Sequence, residues 1–173
     1  MKRVLVLGST GSIGLAALDV IRAHPEHYRV AGLSAHTAAD TLLEQAKAFG
    51  VKRLALTGAA AGSEFITGPD AAVKLVQATE PDIVLNGIAG SAGFLPSLAA
   101  VRMGATLALA NKESLVVGGK FIRATALKSG AEIIPVDSEH SAVFQCLQGE
   151  RHDDIARIIL TASGGPFYDR AQE

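Results

Sequence analysis

Short aliphatic runs alternate with helix-period segments along this 173-residue chain. Val4, Leu5, Val6 and Leu7 form an unbroken apolar run of the kind that serves as a strand buried on both faces. Ile13, Leu15, Ala16, Leu18, Val20 and Ile21 then recur with helical spacing. The same alternation predicts further strands over residues 28–34, 52–57, 83–85, 105–110, 132–136 and 155–161. Between them, helices are predicted from Asp40 up to Gly50 and over residues 70–79, 95–103, 118–130 and 141–147. Residues 58–68 are small and polar and read as a loop. Strands separated by helices imply an α/β domain, a doubly wound and largely parallel sheet of about seven strands with helices on both faces.

The turn after the first strand sharpens this picture. Gly8, Gly11 and Gly14 follow at intervals of three and lead straight into the first helix. Strand, glycine turn and helix is the opening of a Rossmann-like dinucleotide-binding unit, in which backbone approaches a pyrophosphate and the helix N-terminus faces that anion. The same residues also suit an ordinary glycine-rich turn of a parallel sheet. At the end of the second strand an NAD site places an acid on the ribose 2′-OH. Here Leu33, Ser34, Ala35, His36 and Thr37 bring no acid before Asp40. That removes the repulsion against a 2′-phosphate and points to NADP, with His36 and Thr37 as candidate donors and no Arg or Lys to grip the group.

Composition narrows the class. Hydrophobic residues make up 49% and aromatics only 5%, with no Trp, which suits a parallel sheet covered by helices. The formal charge of −1 gives no reason to expect nucleic acid as a partner. Cys146 is the single cysteine, so no internal disulfide can form and a cytoplasmic location is expected. No apolar run is long enough to span a bilayer, and the first residues lack the pattern of a signal peptide.

Candidate chemistry gathers at the predicted strand ends. Residues 86–93 form a glycine-rich loop after one strand, and Asn111, Lys112, Glu113 and Ser114 follow the next. Lys112 suits a phosphate or hydroxyl, and Asn111 and Glu113 suit a nicotinamide ribose; read otherwise, Asn111 caps a helix and the two charges are solvated. After residues 132–136 come Asp137, Ser138, Glu139 and His140. In an extended segment Asp137 and Glu139 point to the same side, an arrangement for a hard divalent cation. Alternatively Asp137 or Ser138 caps the next helix, with Glu139 in its first turn. Ser163, beside Gly164 and Gly165, offers a hydroxyl and backbone N–H groups to an anion.

Together these segments resemble one family. GSTGSIG at 8–14, LANKESLV at 109–116, PVDSEHSA at 135–142 and LTASGGPF at 160–167 stand in the order found in 1-deoxy-D-xylulose 5-phosphate reductoisomerases. The resemblance implies an NADPH-binding domain over residues 1–150 and the start of a catalytic domain over 151–173. It implies NADPH- and metal-dependent conversion of 1-deoxy-D-xylulose 5-phosphate to 2-C-methyl-D-erythritol 4-phosphate, with Mn²⁺ or Mg²⁺, in the non-mevalonate isoprenoid route. Carried over, Thr10, Gly11, Ser12 and Ile13 hold the cofactor diphosphate, and Asn111 and Glu113 contact NADPH. Lys112, Ser138, Glu139 and Ser163 bind the phosphosugar, and Asp137 and Glu139 are metal ligands. Lys112, Asp137 and Glu139 form the catalytic set. The full-length enzyme is expected to be a homodimer.

Two departures stand out. His36, Thr37 and Ala38 occupy the place where the family has a Gly-Lys-Asn-like or Arg-Asn-like segment. The family's third metal-binding glutamate, its Trp-bearing loop and its C-terminal helical domain have no counterpart in these residues, so the chain alone is expected to bind cofactor without turnover. The cofactor domain of a semialdehyde or homoserine dehydrogenase, or a non-catalytic nucleotide-binding module, are the alternatives.

Overall fold

The computed structural model describes residues 1–58 and 63–160. The elements run β1 (Lys2–Leu7), α1 (Ser12–Ala23), β2 (Tyr28–Ala35), α2 (Ala39–Phe49), β3 (Leu54–Leu56), β4 (Phe65–Thr67) and α3 (Ala71–Thr79). They continue with β5 (Ile83–Asn86), α4 (Phe94–Arg102), β6 (Thr106–Leu109), α5 (Glu113–Ser129), β7 (Ile133–Pro135) and α6 (Ser138–Leu147). The seven strands form one sheet in the order β4-β3-β2-β1-β5-β6-β7. From β1 the chain winds outward to β4, returns through α3 to β5, and winds outward again on the other side. The pairs β1–β2, β1–β5, β2–β3, β3–β4 and β5–β6 are all parallel.

Strand β1 shows why the sheet is covered on both sides. Val4 and Val6 pack with Leu18 and Ile21 of α1 and Leu42 and Ala46 of α2. Leu5 and Leu7, pointing the opposite way, pack with Leu75 and Val76 of α3, Val101 of α4 and Ile122 of α5. All four β1 side chains are buried, each worth about 1.5–3 kcal/mol of transfer free energy. At its start β1 is tied to β5: Arg3 donates from its backbone N–H to Asp82 Oδ2 at 2.7 Å and from Nη2 to Oδ1 at 3.2 Å.

The sheet differs from the sequence expectation in its membership. Residues 58–68, read as a loop, contain β4, whose three residues pair with β3 and bury Phe65. Three residues are too few to carry a period-2 signal. Of residues 155–161, read as a strand, 155–160 form none, and Thr161 lies outside the described residues. Ile158, Ile159 and Leu160 are 57%, 71% and 59% exposed. An apolar run gives a segment the composition of a strand but not a neighbour to pair with.

Two helices begin three or more residues earlier than expected. Helix α5 starts at Glu113 rather than at residue 118, and Gly118 sits inside it with φ −155° and ψ 29°, a kink between two helical segments. A Cβ there would stand 2.1 Å from Phe94 Cε2, so glycine at this point admits the Phe94 ring. Helix α6 starts at Ser138 rather than at residue 141. By its contacts the chain divides into two compact units, Met1–Ile134 and Pro135–Glu173.

Candidate functional site

In the first unit a cleft of about 450 Å³ opens where the strand order reverses, between β1 and β5. Its lining includes Gly8, Thr10 and Gly11 after β1, Ser34 and His36 around the end of β2, Thr57 after β3, and Gly87 and Ile88 after β5. This is the carboxyl end of the strands at a topological switch point, where open α/β sheets bind ligands. Gly8 has φ +77°, and a Cβ on it would lie 2.9 Å from Gly87 O. At Gly14 a Cβ would lie 2.3 Å from Gly8 O and 2.5 Å from Ser9 Cα, so α1 is seated directly on the loop backbone. Gly11 is different: its Cβ would have 3.5 Å to the nearest atom, and its φ is an ordinary −82°.

Helix α1 is left open at its positive end. Its N-cap position is Gly11, no side chain caps it, and its first turn has no acid. Thr10 is half-buried, Ser12 and Ile13 are exposed, and the described lining of the cleft contains no carboxylate. Free N–H groups, the helix dipole and the absence of negative charge together make an anion site. The residues present fit the diphosphate of a dinucleotide.

A buried polar network fixes this loop, and none of it was singled out from the sequence. Ser9 is fully buried; its Oγ donates to Gln45 Oε1 at 2.7 Å, and Gln45 Nε2 donates back to Ser9 O at 3.0 Å. Ser34 Oγ accepts from Gly8 N at 3.2 Å, and Ser34 O accepts from Ser9 N at 2.8 Å. The available signal was a set of polar residues at core positions: Ser34 within the apolar β2 and Gln45 on the same stripe of α2 as Leu42.

The second loop of the cleft is held by two asparagines. Asn86, fully buried at the end of β5, donates from Nδ2 to Gly93 O at 2.8 Å and to Ser97 Oγ at 2.7 Å, and its Oδ1 accepts from Ile88 N at 3.1 Å. Asn111, 2% exposed, donates from Nδ2 to Ile88 O and to Gly90 O. Its Oδ1 accepts from Ser114 N at 2.8 Å and from Ser114 Oγ. Two donors and two acceptors exhaust an asparagine side chain. The capping reading of Asn111 therefore describes its side chain, which also staples the 88–90 loop, and hydrogen bonds from that side chain to a nicotinamide ribose would require breaking these. Lys112 takes the N-cap position of α5, and Glu113 opens its first turn and is exposed.

In the second unit Asp137 takes the N-cap position of α6 and Glu139 lies in its first turn. The segment from Ser138 on is therefore helical rather than extended, and strand-type two-residue alternation does not set the directions of Asp137 and Glu139. Asp137 Oδ1 is 2.7 Å from His140 Nδ1, and Glu139 Oε2 accepts from Ser138 Oγ at 2.9 Å. Among the described residues no group of three or more His, Cys, Asp or Glu is arranged to hold a metal. Two carboxylates nonetheless match the chemistry of Mg²⁺ and Mn²⁺, which take few protein ligands and complete their shell with water and substrate oxygens. Ser163 lies outside the described residues. No helix is long and apolar enough to cross a membrane among the residues described.

Comparison with known proteins gives this site its context. The family described as 1-deoxy-D-xylulose 5-phosphate reductoisomerase matches residues 4–119, and the C-terminal domain of the same enzyme matches residues 133–173. A Mycobacterium leprae 1-deoxy-D-xylulose 5-phosphate reductoisomerase is 53% identical over 170 residues, covering 95% of this chain and 41% of its own length. The Leifsonia xyli enzyme of the same name is 49% identical over 173 residues, covering 100% and 44%. The chain thus spans less than half the length of these relatives. The Zymomonas mobilis enzyme, solved in complex with NADPH, superposes with a TM-score of 0.85 at 38% identity, covering 98% of this chain and 48% of that one. A DOX-P reductoisomerase in complex with NADPH, fosmidomycin and magnesium gives 0.87 at 34% identity, covering 99% and 47%. A homoserine dehydrogenase from Thiobacillus denitrificans, at 21% identity and a TM-score of 0.56, shares the fold alone. By these matches, this chain belongs to the 1-deoxy-D-xylulose 5-phosphate reductoisomerase family.

Proposed function

We propose that this chain is the cofactor-binding part of an enzyme that rearranges 1-deoxy-D-xylulose 5-phosphate and reduces the product to 2-C-methyl-D-erythritol 4-phosphate. NADPH and a divalent cation, Mg²⁺ or Mn²⁺, serve the reaction. The observation that carries this reading is the cleft at the β1/β5 switch point, with an uncapped α1 N-terminus and no carboxylate in its described lining, in a chain of this family. The relatives solved with NADPH and with magnesium support the cofactor assignment.

The chain's own residues divide the work. Thr10, Gly11, Ser12 and Ile13 present hydroxyl and backbone N–H groups to the cofactor diphosphate. Asn111 serves the cofactor by holding the 88–90 loop in place, and Glu113 lies beside it at the start of α5. Lys112 supplies a cationic donor to the phosphosugar, and Ser138, Glu139 and Ser163 add oxygens that bind it. Asp137 and Glu139 would hold the cation. When bound, the cation would supply Lewis-acid polarisation of a carbonyl, and NADPH would supply hydride. The whole enzyme works in the cytoplasm as a homodimer, in the non-mevalonate route to isoprenoid precursors.

Calorimetric titration of the chain with NADPH tests the reading. Saturable binding is the expected result, with no turnover when substrate and Mn²⁺ are added to this chain alone. Absence of any NADPH binding would remove the cofactor role. In the full-length enzyme, Asp137→Asn or Glu139→Gln should abolish metal-dependent turnover and leave the NADPH Kd unchanged; parallel losses of both would sink the metal assignment.

A further inference from the structure

One part of the cleft departs from what an NADP site ordinarily carries. At the carboxyl end of β2 a 2′-phosphate site usually has an Arg nearby, and here the chain reads His36, Thr37, Ala38. His36 is the single titratable side chain among the described residues that line the cleft, and the first acid after β2 is Asp40, in the first turn of α2. Helix α2, like α1, has no side chain capping its N-terminus.

His36 is held in place although it is exposed. Its backbone is tied to the end of β3: Thr57 N donates to Ala35 O at 3.2 Å and Gly58 N donates to His36 O at 2.8 Å. A Cβ on Gly58 would lie 2.9 Å from His36 O and 2.8 Å from Thr37 Cγ2, so the approach depends on glycine. The imidazole is fixed too, with Nδ1 2.9 Å from Thr57 Oγ1. Thr57 itself lines the cleft.

We infer that His36, oriented by Thr57, reads the 2′-phosphate of NADPH in place of a basic clamp and sets the preference of this site for NADPH over NADH. The inference rests on the cofactor reading given above. With the Thr57 hydroxyl donating to Nδ1, we assign the ring proton to Nε2, where it can donate to a phosphate oxygen. A hydrogen bond to an ionised phosphate is shorter and stronger than one to the neutral ribose hydroxyl of NADH. The same placement therefore discriminates between the two cofactors. Side-chain entropy favours it as well, because the ring is already held before the ligand arrives.

The test is calorimetric titration of the whole chain with NADPH, NADH and 2′,5′-ADP, the last a probe that carries the 2′-phosphate without the nicotinamide. His36→Ala should raise the Kd of NADPH and 2′,5′-ADP by about tenfold or more and that of NADH by less than about twofold. Thr57→Val keeps the shape and removes the hydroxyl; it should shift the preference in the same direction by a smaller factor, and Thr57→Ser should restore it. Thermal melts of each variant check that the domain is intact; if His36→Ala melts early, His36→Gln takes its place. Equal weakening of NADPH and NADH by His36→Ala, or no effect on either, overturns the inference and leaves the cofactor role standing. Failure of the unaltered chain to bind either dinucleotide overturns both.

Discussion

Gly11 and Gly14 stand three residues apart in the same motif, yet the structure gives them different jobs that alanine substitution separates. At Gly14 the new methyl would sit 2.3 Å from Gly8 O and 2.5 Å from Ser9 Cα. Both are backbone atoms of a loop already held by the buried Ser9–Gln45 pair, so they cannot swing aside as a side-chain tip would. Overpacking of this kind costs about 1–3 kcal/mol, and the upper end applies where backbone must move. Helix propensity returns about 1 kcal/mol on going from glycine to alanine inside α1. The net loss is about 2 kcal/mol, or about 4–8 °C in Tm for a chain of this size. At Gly11 the methyl has 3.5 Å of clearance and an ordinary φ. Stability should fall by no more than about 1 kcal/mol, because alanine caps a helix less well than glycine. The methyl would instead stand where backbone and cofactor diphosphate approach, and NADPH affinity should drop by about tenfold or more. Thermal unfolding and NADPH titration of both variants measure the contrast. A Gly14→Ala protein with unchanged Tm, or a Gly11→Ala protein that binds NADPH as tightly as the parent, would refute the reasoning.

Three further outcomes follow from the same geometry. Asn111→Ala leaves Ile88 O, Gly90 O and Ser114 N without their partner and should cost about 2–4 kcal/mol in urea unfolding; a loss below about 1 kcal/mol would show that the staple is dispensable. The hydrogen bonds from the Arg3 guanidinium and backbone N–H hold the Asp82 carboxyl below its usual range. That stabilisation is present above the carboxyl's unfolded pKa and is lost as pH falls through its lower folded value. The stability gap between the parent and Asp82→Asn should therefore be constant from pH 7 down to about pH 5 and close in the acid range below about pH 4; a gap that stays constant below pH 4 contradicts the linkage. Gly118→Ala, whose Cβ would meet the Phe94 ring at 2.1 Å, should destabilise by about 1–3 kcal/mol. A Phe94→Ala, Gly118→Ala double-mutant cycle should recover part of that loss as coupling, and strict additivity would place the clash elsewhere.

What the sequence disclosed and what it hid divide along the range of the interactions. The run of Val4, Leu5, Val6 and Leu7 declared a strand buried on both faces because consecutive residues serve opposite faces, and the glycine turn declared itself because its causes lie within seven residues. Strand β4 and the strand-like composition of residues 155–160 mislead for one reason: pairing is a property of the neighbour, which apolar composition does not name. Asp137 and Glu139 do not alternate as strand residues would because α6 starts at Ser138, three residues before its apolar pattern shows, and a helix start changes the direction of every side chain that follows. The site shows the same division. Asn111 was marked by its position at a strand end as a residue that touches the cofactor, but its four hydrogen bonds run to Ile88, Gly90 and Ser114. A strand end marks a residue that matters to the ligand; the number of its hydrogen-bonding groups already committed separates holding the loop from touching the ligand. By that criterion the Asn111 side chain is committed to the backbone it clamps, whereas His36, with Nδ1 anchored on Thr57 and its ring exposed at the cleft, keeps capacity to meet a ligand.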